Sequence, residues 1–458
     1  MQMTLREVQT AVGGRLFGEL DTETVLETVS TDSRTDFHNG VFIAIKGERV
    51  DGHHYIEKAF AAGAKLAIGE EPAPETLPVG HAYLQVENSV TALQQLASAY
   101  RDKLAAPIIG ISGSVGKTST KEMISAILGH DHPIGKTEGN LNNEIGVPLT
   151  LLSFPPDIAY GVVEMGISDF GEMELLSRIA RPDICVLTNI GDCHLEALGD
   201  REGVKRAKTE MFLHMQPQGR VYLNGDDPLL AAITQVRGQR PILFGLRAQN
   251  DCVASDCHSL GLLGSTARID YRGQSITARI PIAGVHMVLN TAVATAIAVD
   301  LGLSNEQIEA GIAAAKTIRG RSNQIKAAGA TIIDDCYNAN PMSMKASLSM
   351  LGESEGSKRI AVLGDMFELG VEEVSLHQSV GLAAASLPIE TVYCIGKLAA
   401  AIADGLRKGG FGGQIIEAET KEAVLASIVA ERTEGAIILV KASHGMHFDE
   451  IVDRLQEK

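Results

Sequence analysis

At 458 residues, 45% hydrophobic and 21% charged, the chain exceeds what one hydrophobic core usually covers, which implies about two to four domains of soluble globular composition. Its 40 basic and 57 acidic side chains leave a net charge of −17, which repels a polyanion and argues against nucleic acid as a partner. The six cysteines (Cys185, Cys193, Cys252, Cys257, Cys336 and Cys394) form no C-x-x-C pair and no zinc-like spacing, the pattern of buried free thiols in a reducing cytoplasm.

The segment from Met1 to Gly14 lacks a basic stretch followed by an apolar run, so no signal peptide is expected. Val41 to Ile45 reads as a buried strand, and Ile56, Ala59 and Phe60 then recur at helical spacing. After the prolines at 72, 74 and 78 comes an amphipathic helix with Val90, Leu93, Leu96 and Tyr100 on one face, capped by Asn88 or Ser89. A first domain boundary falls near residue 85. From Pro107 onward, β-rich runs (Ile108 to Ser112, Gly161 to Met165, Ile184 to Thr188, Arg220 to Leu223) alternate with helical patterns, the signature of a doubly wound parallel sheet. The most apolar stretch, Ile282 to Leu303, is interrupted by His286, Asn290 and Asp300, so no membrane span is expected. Ser304 and Gln307 have capping-box spacing, and the charged, glycine-containing stretch from Lys316 to Arg321 sets a second boundary near 317. Beyond it, Thr331 to Asp334, Ile360 to Leu363, Thr391 to Ile395 and Ala436 to Val440 are strand-like, as in a second, Rossmann-like sheet.

At the end of the first central strand lies Gly110-Ile-Ser-Gly113-Ser114-Val115-Gly116-Lys117-Thr118-Ser119. Backbone N–H groups and a helix N-terminus there can cradle phosphate oxygens, with Lys117 reaching the terminal phosphates and the Thr118 hydroxyl offered to Mg²⁺. A glycine-rich turn that only packs a strand on a helix is the competing reading, but Gly116-Lys117-Thr118 falls at the strand-to-helix junction. The spacing departs from G-x-x-x-x-G-K-[ST]: position 111 is Ile, and the glycines fall at 110, 113 and 116.

This variant, placed after an α/β domain of about a hundred residues, resembles the Mur ligases and the related folylpolyglutamate synthases. Other stretches similar to that family are Thr31-Asp-Ser33-Arg34, Asp51-Gly-His53, Gly139-Asn140-Leu-Asn142-Asn143, Val163-Glu164-Met-Gly, Asn189-Ile-Gly-Asp-Cys-His194 and Ala207-Lys208-Thr-Glu210. Gly320-Arg321, Asp334-Asp335-Cys-Tyr337-Asn338-Ala-Asn340-Pro341 and Leu363 to Gly370 complete the set. The last two resemble most the member that adds D-alanyl-D-alanine to a UDP-N-acetylmuramoyl tripeptide. The resemblance implies three domains: residues 1–85 (small, α/β, holding the UDP substrate), 86–317 (a P-loop ATPase-like parallel sheet) and 318–458 (Rossmann-like, receiving the dipeptide). It also implies an ATP-dependent amide ligase working through an acyl phosphate, monomeric and cytoplasmic, with small-molecule substrates only. The alternative is another Mur ligase or a folylpolyglutamate synthase-like enzyme.

The resemblance further assigns roles. Gly113, Ser114, Val115, Gly116, Lys117, Thr118 and Ser119 would hold ATP, with Asn290 on the adenine side and Arg321 and Asp335 reaching in from the third domain. Glu164 ends an apolar strand at the carboxyl edge of the sheet, a fitting place for a hard Mg²⁺ ligand, with a capped strand-end carboxylate as the alternative. His194 would bind a second Mg²⁺, although in isolation it reads as a loop histidine. Lys208 would be a carbamate, because a bare ammonium repels two Mg²⁺ ions; the competing readings are an ordinary helix-surface lysine or one paired with Glu210 or Glu202, with Lys205 one turn earlier as a rival candidate. Ser33 and Arg34 would hold the uridine nucleotide; Asn140, Asn142 and Asn143 would face the sugar-peptide, or else supply turns and caps. Tyr337, Asn338 and Asn340 would sit by the peptide end, unless they form a polar turn stopped by Pro341. Two departures stand out: Met287 where a second polar nucleotide contact is expected, and Ala442 and His444 where relatives often read Gly and Arg.

Overall fold

The apolar run beginning at residue 40 becomes the strand Gly40–Ile43 and leaves the ladder earlier than its hydropathy suggests, because the Ile45 carbonyl accepts from Gly52 N–H at 2.9 Å and closes a turn. This strand lies in a five-stranded sheet of order Arg15–Gly18, Ala82–Gln85, Ala64–Gly69, Gly40–Ile43, Val29–Ser30, parallel except for the first pair. Phe37, Phe42, Phe60 and Tyr83 pack together in its core. The helix Ser89–Arg101 begins where Asn88 Oδ1 accepts from Thr91 N–H at 2.8 Å, so Asn88 rather than Ser89 is the cap.

The computed structural model describes residues 1–457, which group into two compact units. The first comprises Met1–Ser112, Asp131–Val186 and Ala207–Val221. The second comprises Gly113–His130, Leu187–Arg206 and the chain from Tyr222 onward.

Besides the five-stranded sheet, the first unit carries the strands Ile134–Lys136, Tyr160–Glu164, Ile108–Ser112 and Ile184–Leu187 in that spatial order, with Tyr160–Glu164 parallel to both neighbours. Ile108–Ser112 has the bounds its sequence implies; the other runs agree to within a residue or so.

In the second unit, the helices Lys117–Leu128, His286–Asp300 and Asn305–Ala313 pack on one another. A side chain at Gly311 would overlap the backbone of Ile127, so the first and last of these approach as closely as glycine allows. His286–Asp300 is buried almost all round, which explains its apolar composition; among the described residues no helix is long and apolar enough to cross a membrane. Ser304 and Gln307 form the expected capping box, with bonds of 3.3 and 2.9 Å. The hairpin strands Cys252–Ser259, Ser265–Tyr271 and Gln274–Ile280 extend this part as an antiparallel group that the sequence reading passed over. Their polar residues alternate with buried Ile269, Ile276 and Ile280.

The C-terminal sheet runs Asn323–Ala327, Ala330–Asp334, Ala436–Lys441, Lys358–Gly364, Thr391–Ile395, Gln414–Ala418, parallel except at the first strand. Met344, Leu348, Leu363 and Leu439 belong to one apolar layer of this sheet, and Ile332, Ile360, Ile438 and Phe448 to a second. The register sets Asp334 beside Val440 and Leu363 beside Lys441, so three strands end together where open α/β sheets receive ligands.

Candidate active site

The strand Ile108–Ser112 runs directly into the glycine-rich loop, and the helix Lys117–Leu128 follows with Gly116 as its N-cap in a left-handed conformation. No side chain caps this helix, so its first-turn amides, which cannot bond within the helix, form an open anion site. The loop is clamped from residues 188–191. Thr188 Oγ1 donates to the Val115 carbonyl at 2.6 Å, Asn189 Oδ1 accepts from Val115 N–H at 2.9 Å, and Ser114 Oγ accepts from Gly191 N–H at 2.8 Å. A Cβ at Gly113 would overlap Thr188 Oγ1, so that position requires glycine for space as well as for its positive φ. Lys117 Nζ folds back to the Gly113 carbonyl at 2.8 Å, and Thr118 is buried in the first turn. Sequence reasoning assigned Thr188 and Asn189 no role of their own, although Asn189 opens one of the family-like stretches; the polar pair ending an apolar run was the available signal.

Asn290 sits beneath this loop. Its Oδ1 accepts from Thr120 Oγ1 at 3.1 Å and would be 3.2 Å from a Cβ on Gly116. Its Nδ2 donates to Met287 Sδ at 3.4 Å, so the unexpected methionine supplies a weak acceptor to the asparagine. The two residues are one turn apart on the same helix face.

In the first unit, Glu164 ends its strand buried, with Oε1 accepting from Asn142 Nδ2 at 2.8 Å. Glu164 Oε2 is buried with no hydrogen-bond partner among the described residues, an arrangement that costs free energy unless a cation or donor arrives. Asn142 is thereby tied to Glu164, whereas Asn143 Oδ1 accepts from Gly146 N–H at 2.9 Å and caps the next helix; Asn140 is exposed. Lys208 is buried on the helix Arg201–Thr209. Of the two carboxylates named for it in the sequence, Glu210 accepts from Gly171 N–H at 3.0 Å and Glu202 pairs with Lys205 at 2.8 Å. In the N-terminal segment Ser33 is buried, and the exposed Arg34 grips Asp32 through Nε and a terminal nitrogen at 2.9 and 2.7 Å. That grip holds the Asp32 carboxyl down at about 2.

His194, in the second unit, adopts a left-handed backbone conformation, and its Nδ1 lies 2.6 Å from Glu368 Oε2. The alignment of this close contact falls short of a hydrogen bond, and the imidazole beside it holds the Glu368 carboxyl below its usual range. Glu368 was not singled out in the sequence, although it lies in the stretch Leu363 to Gly370.

The third cluster gathers at the strand ends of the C-terminal sheet. Asp335 is buried and its carboxylate takes three donors: Ser322 N–H at 3.0 Å, Ser347 Oγ at 2.6 Å and Lys441 Nζ at 2.7 Å. Burial pushes its carboxyl up, but the Lys441 ammonium and the hydroxyl outweigh burial and leave it below the ordinary value. Lys441 also donates to the Asn338 carbonyl at 3.1 Å. Arg321 lies 4.1 Å over the ring of Tyr337, and the exposed His444 sits tilted 5.6 Å from that ring's centre. Asn340 caps the helix Pro341–Glu353 through Ser343 N–H at 2.9 Å, with Pro341 at its first position.

The two groups implied by the sequence fit the residues present. An uncapped helix N-terminus with Lys117 suits a polyphosphate, and the unshared Oε2 of Glu164 suits a divalent cation. Among the described residues no three His, Cys, Asp or Glu cluster as a metal site. Mg²⁺ held by one carboxylate and substrate phosphates needs no such cluster.

Family models described as Mur ligase catalytic domain, Mur ligase middle domain, and Mur ligase glutamate ligase domain match residues 26–101, 111–298 and 320–444. The chain is 38% identical, over all of its own length and 99% of the relative's, to the UDP-N-acetylmuramoyl-tripeptide–D-alanyl-D-alanine ligase of Bacillus subtilis. Its fold matches the crystal structure of MurF from Acinetobacter baumannii with a TM-score of 0.89 at 32% identity, covering 100% and 99% of the two chains. It also matches MurF ligase from Thermotoga maritima in complex with ADP, with a TM-score of 0.81 at 28% identity and coverage of 94% and 97%. The chain belongs to the Mur ligase family.

Proposed function

We propose that this Mur ligase joins D-alanyl-D-alanine to UDP-N-acetylmuramoyl tripeptide at the expense of ATP, giving the UDP-linked pentapeptide for peptidoglycan synthesis. The observation that carries the reading is the full-length 38% identity to a ligase of that name. ATP with Mg²⁺, when bound, supplies the phosphoryl group that turns the substrate carboxylate into an acyl phosphate open to attack by the amine.

The chain's own residues then have distinct tasks. The first-turn amides from Gly116 to Ser119 and the Lys117 ammonium gather phosphate oxygens, while residues 188–191 keep Gly113, Ser114 and Val115 in shape. Thr118, Glu164 and His194 are the Mg²⁺ ligands, and Asn142 orients Glu164 through the 2.8 Å bond to Oε1. Lys208 serves as a carbamate and adds an anionic oxygen; its burial favours the neutral amine that reacts with CO₂. Asn290 supports the loop from below and lies toward the base. Arg321, stacked on Tyr337, and Asp335, through Lys441, shape the ATP-facing edge of the C-terminal sheet. Tyr337, Asn338 and Asn340 border the incoming dipeptide. Ser33 and Arg34 take the uridine nucleotide, with Arg34 exchanging Asp32 for phosphate, and Asn140 and Asn143 line the sugar-peptide side.

We keep a division into three domains at 85 and 317; the gap from 298 to 320 between the second and third matched ranges supports a boundary near 317, whereas the first matched range runs on to residue 101. We place the enzyme in the cytoplasm as a monomer; six free thiols, five of them buried, suit a reducing compartment.

The test is phosphate release with UDP-N-acetylmuramoyl tripeptide and one of three amines. D-Ala-D-Ala should support turnover where D-Glu and L-Glu do not. Equal release with either glutamate overturns the assignment in favour of another Mur ligase or a folylpolyglutamate synthase-like enzyme.

A further inference from the structure

His194 and Glu368 approach one another from segments far apart in sequence, and both pay a backbone cost to do so. Their φ angles are +52° and +61°, in the left-handed region that is strained for a non-glycine residue. Strain at both ends of one contact marks a geometry the surrounding structure enforces.

The enforcement is visible. The loop carrying Glu368 is pinned where Asp365 Oδ1 accepts from Ala399 N–H at 2.7 Å. His377 Nε2 accepts from Met366 N–H at 2.8 Å, and Ser443 Oγ accepts from Phe367 N–H at 2.9 Å. Just past it, a Cβ on Gly370 would meet Glu196 N at 3.5 Å, so this segment packs against the short helix Leu195–Leu198 that His194 begins. On the other side, Cys193 Sγ donates to Ser114 Oγ of the phosphate loop at 3.1 Å. The backbone that carries Glu368 is therefore fixed beside a histidine whose chain neighbour touches the nucleotide loop.

His194 Nδ1 and Glu368 Oε2 are 2.6 Å apart, and two lone pairs facing each other at that distance would repel. That contact favours the tautomer with its hydrogen on Nδ1, which leaves the lone pair on Nε2. Histidines that bind metals are oriented in this way by a carboxylate on the far nitrogen.

We propose that Glu368 is a positioning residue for His194: it fixes the imidazole tautomer and presents Nε2 to a divalent cation, so that a loop of the C-terminal sheet completes the cation site beside the phosphate loop. The inference rests on the reading of His194 as a Mg²⁺ ligand. Removing an outer partner of a metal-bound histidine typically weakens the metal about 10- to 100-fold.

Two measurements on the full-length chain test it. In the metal-free protein at pH 8, ¹⁵N spectra of labelled histidine should show His194 as the Nδ1–H tautomer, assigned by its loss in His194→Ala; Glu368→Ala should shift it toward Nε2–H, and Glu368→Asp should restore part of the original signal. The Mg²⁺ concentration that half-saturates binding of a fluorescent ATP analogue should rise at least tenfold in Glu368→Ala and less in Glu368→Gln, with melting temperatures checked alongside. An unchanged tautomer and Mg²⁺ requirement in Glu368→Ala, with His194→Ala impaired, overturns the role of Glu368 and leaves His194 a ligand. A lower Mg²⁺ requirement in Glu368→Ala makes the carboxylate a competitor and equally overturns it. An unaffected His194→Ala removes the ligand reading and this inference with it.

Discussion

The loop from Gly113 to Ser119 and the stretch from Asp334 to Pro341 carry motifs of similar density, but they spend their polar groups differently. In the first, side chains and carbonyls of residues 188–191 hold the loop's shape, and the helix amides that follow are left open. In the second, the polar side chains are largely taken by the protein itself: Asp335 by Ser322, Ser347 and Lys441, Asn340 by Ser343, and Asn338 Oδ1 by Ala339 N–H. A polar motif therefore signals a ligand-facing surface most directly when the donors are backbone amides. When they are side chains, the same density also arises from an internal brace.

The comparison can be broken or sharpened by substitution. The largest effect expected is on stability, at the brace. Lys441→Met strands the buried Asp335 carboxylate, and unpairing a buried ion pair costs about 3–5 kcal/mol, whereas Lys441→Met with Asp335→Asn should recover much of that loss in thermal unfolding. Equal melting temperatures for wild type and Lys441→Met would mean that this pair does not brace the stretch. The pair also has a signed pH dependence. Because the folded carboxyl lies below its ordinary value, its contribution is complete above about pH 4 and is lost as the pH falls through the lower folded value.

At the loop the effect should fall on catalysis. Lys117→Ala should lower turnover about 100- to 1,000-fold at an unchanged melting temperature, the cost of removing one charge from a preorganised anion site. A large stability loss with little change in rate would reverse the contrast drawn here.

A smaller effect concerns His377, which burial keeps below its ordinary pKa and which accepts from Met366 N–H as the neutral imidazole. Its contribution is complete above about pH 6.5 and is lost as the pH falls toward the folded value, at most about 1.4 kcal/mol per pH unit. His377→Gln should flatten the fall in melting temperature between pH 7 and 5.5; an identical slope would place the sensitivity elsewhere. The smallest change expected is for Asn340→Ala, which removes a helix cap worth about 1 kcal/mol. Its Michaelis constant for the dipeptide separates the brace from a direct contact: unchanged for a cap, raised for a ligand.

Much of this organisation was legible in the chain. Alternating apolar runs and helical patterns located the parallel strands, and Ser304 with Gln307 announced their helix, because these signals are local. The antiparallel strands between Cys252 and Ile280 were not legible, since their pairing depends on partners outside any short window and half of each strand faces water. The phosphate loop was found from its glycines. The His194 to Glu368 contact was not, because each residue taken alone resembles a solvated loop side chain and only the fold brings them to 2.6 Å. The three asparagines divide in the same way: Asn143 is a cap and Asn142 a buttress for Glu164, a distinction that spacing cannot make.

The clamp on the phosphate loop also has a consequence in time. Ser114, Val115 and Gly191 lie outside regular structure, yet each gives its amide hydrogen to a partner within the clamp. These three should exchange with deuterium slowly whether or not nucleotide is present, like amides of a strand interior. The amides of Thr118 and Ser119, in the first turn of Lys117–Leu128, have no such partner inside their helix and should exchange much faster in the free enzyme, slowing when phosphate arrives. The boundary between fast and slow hydrogens would thus fall between neighbouring residues of one loop, and its movement would time the arrival of substrate.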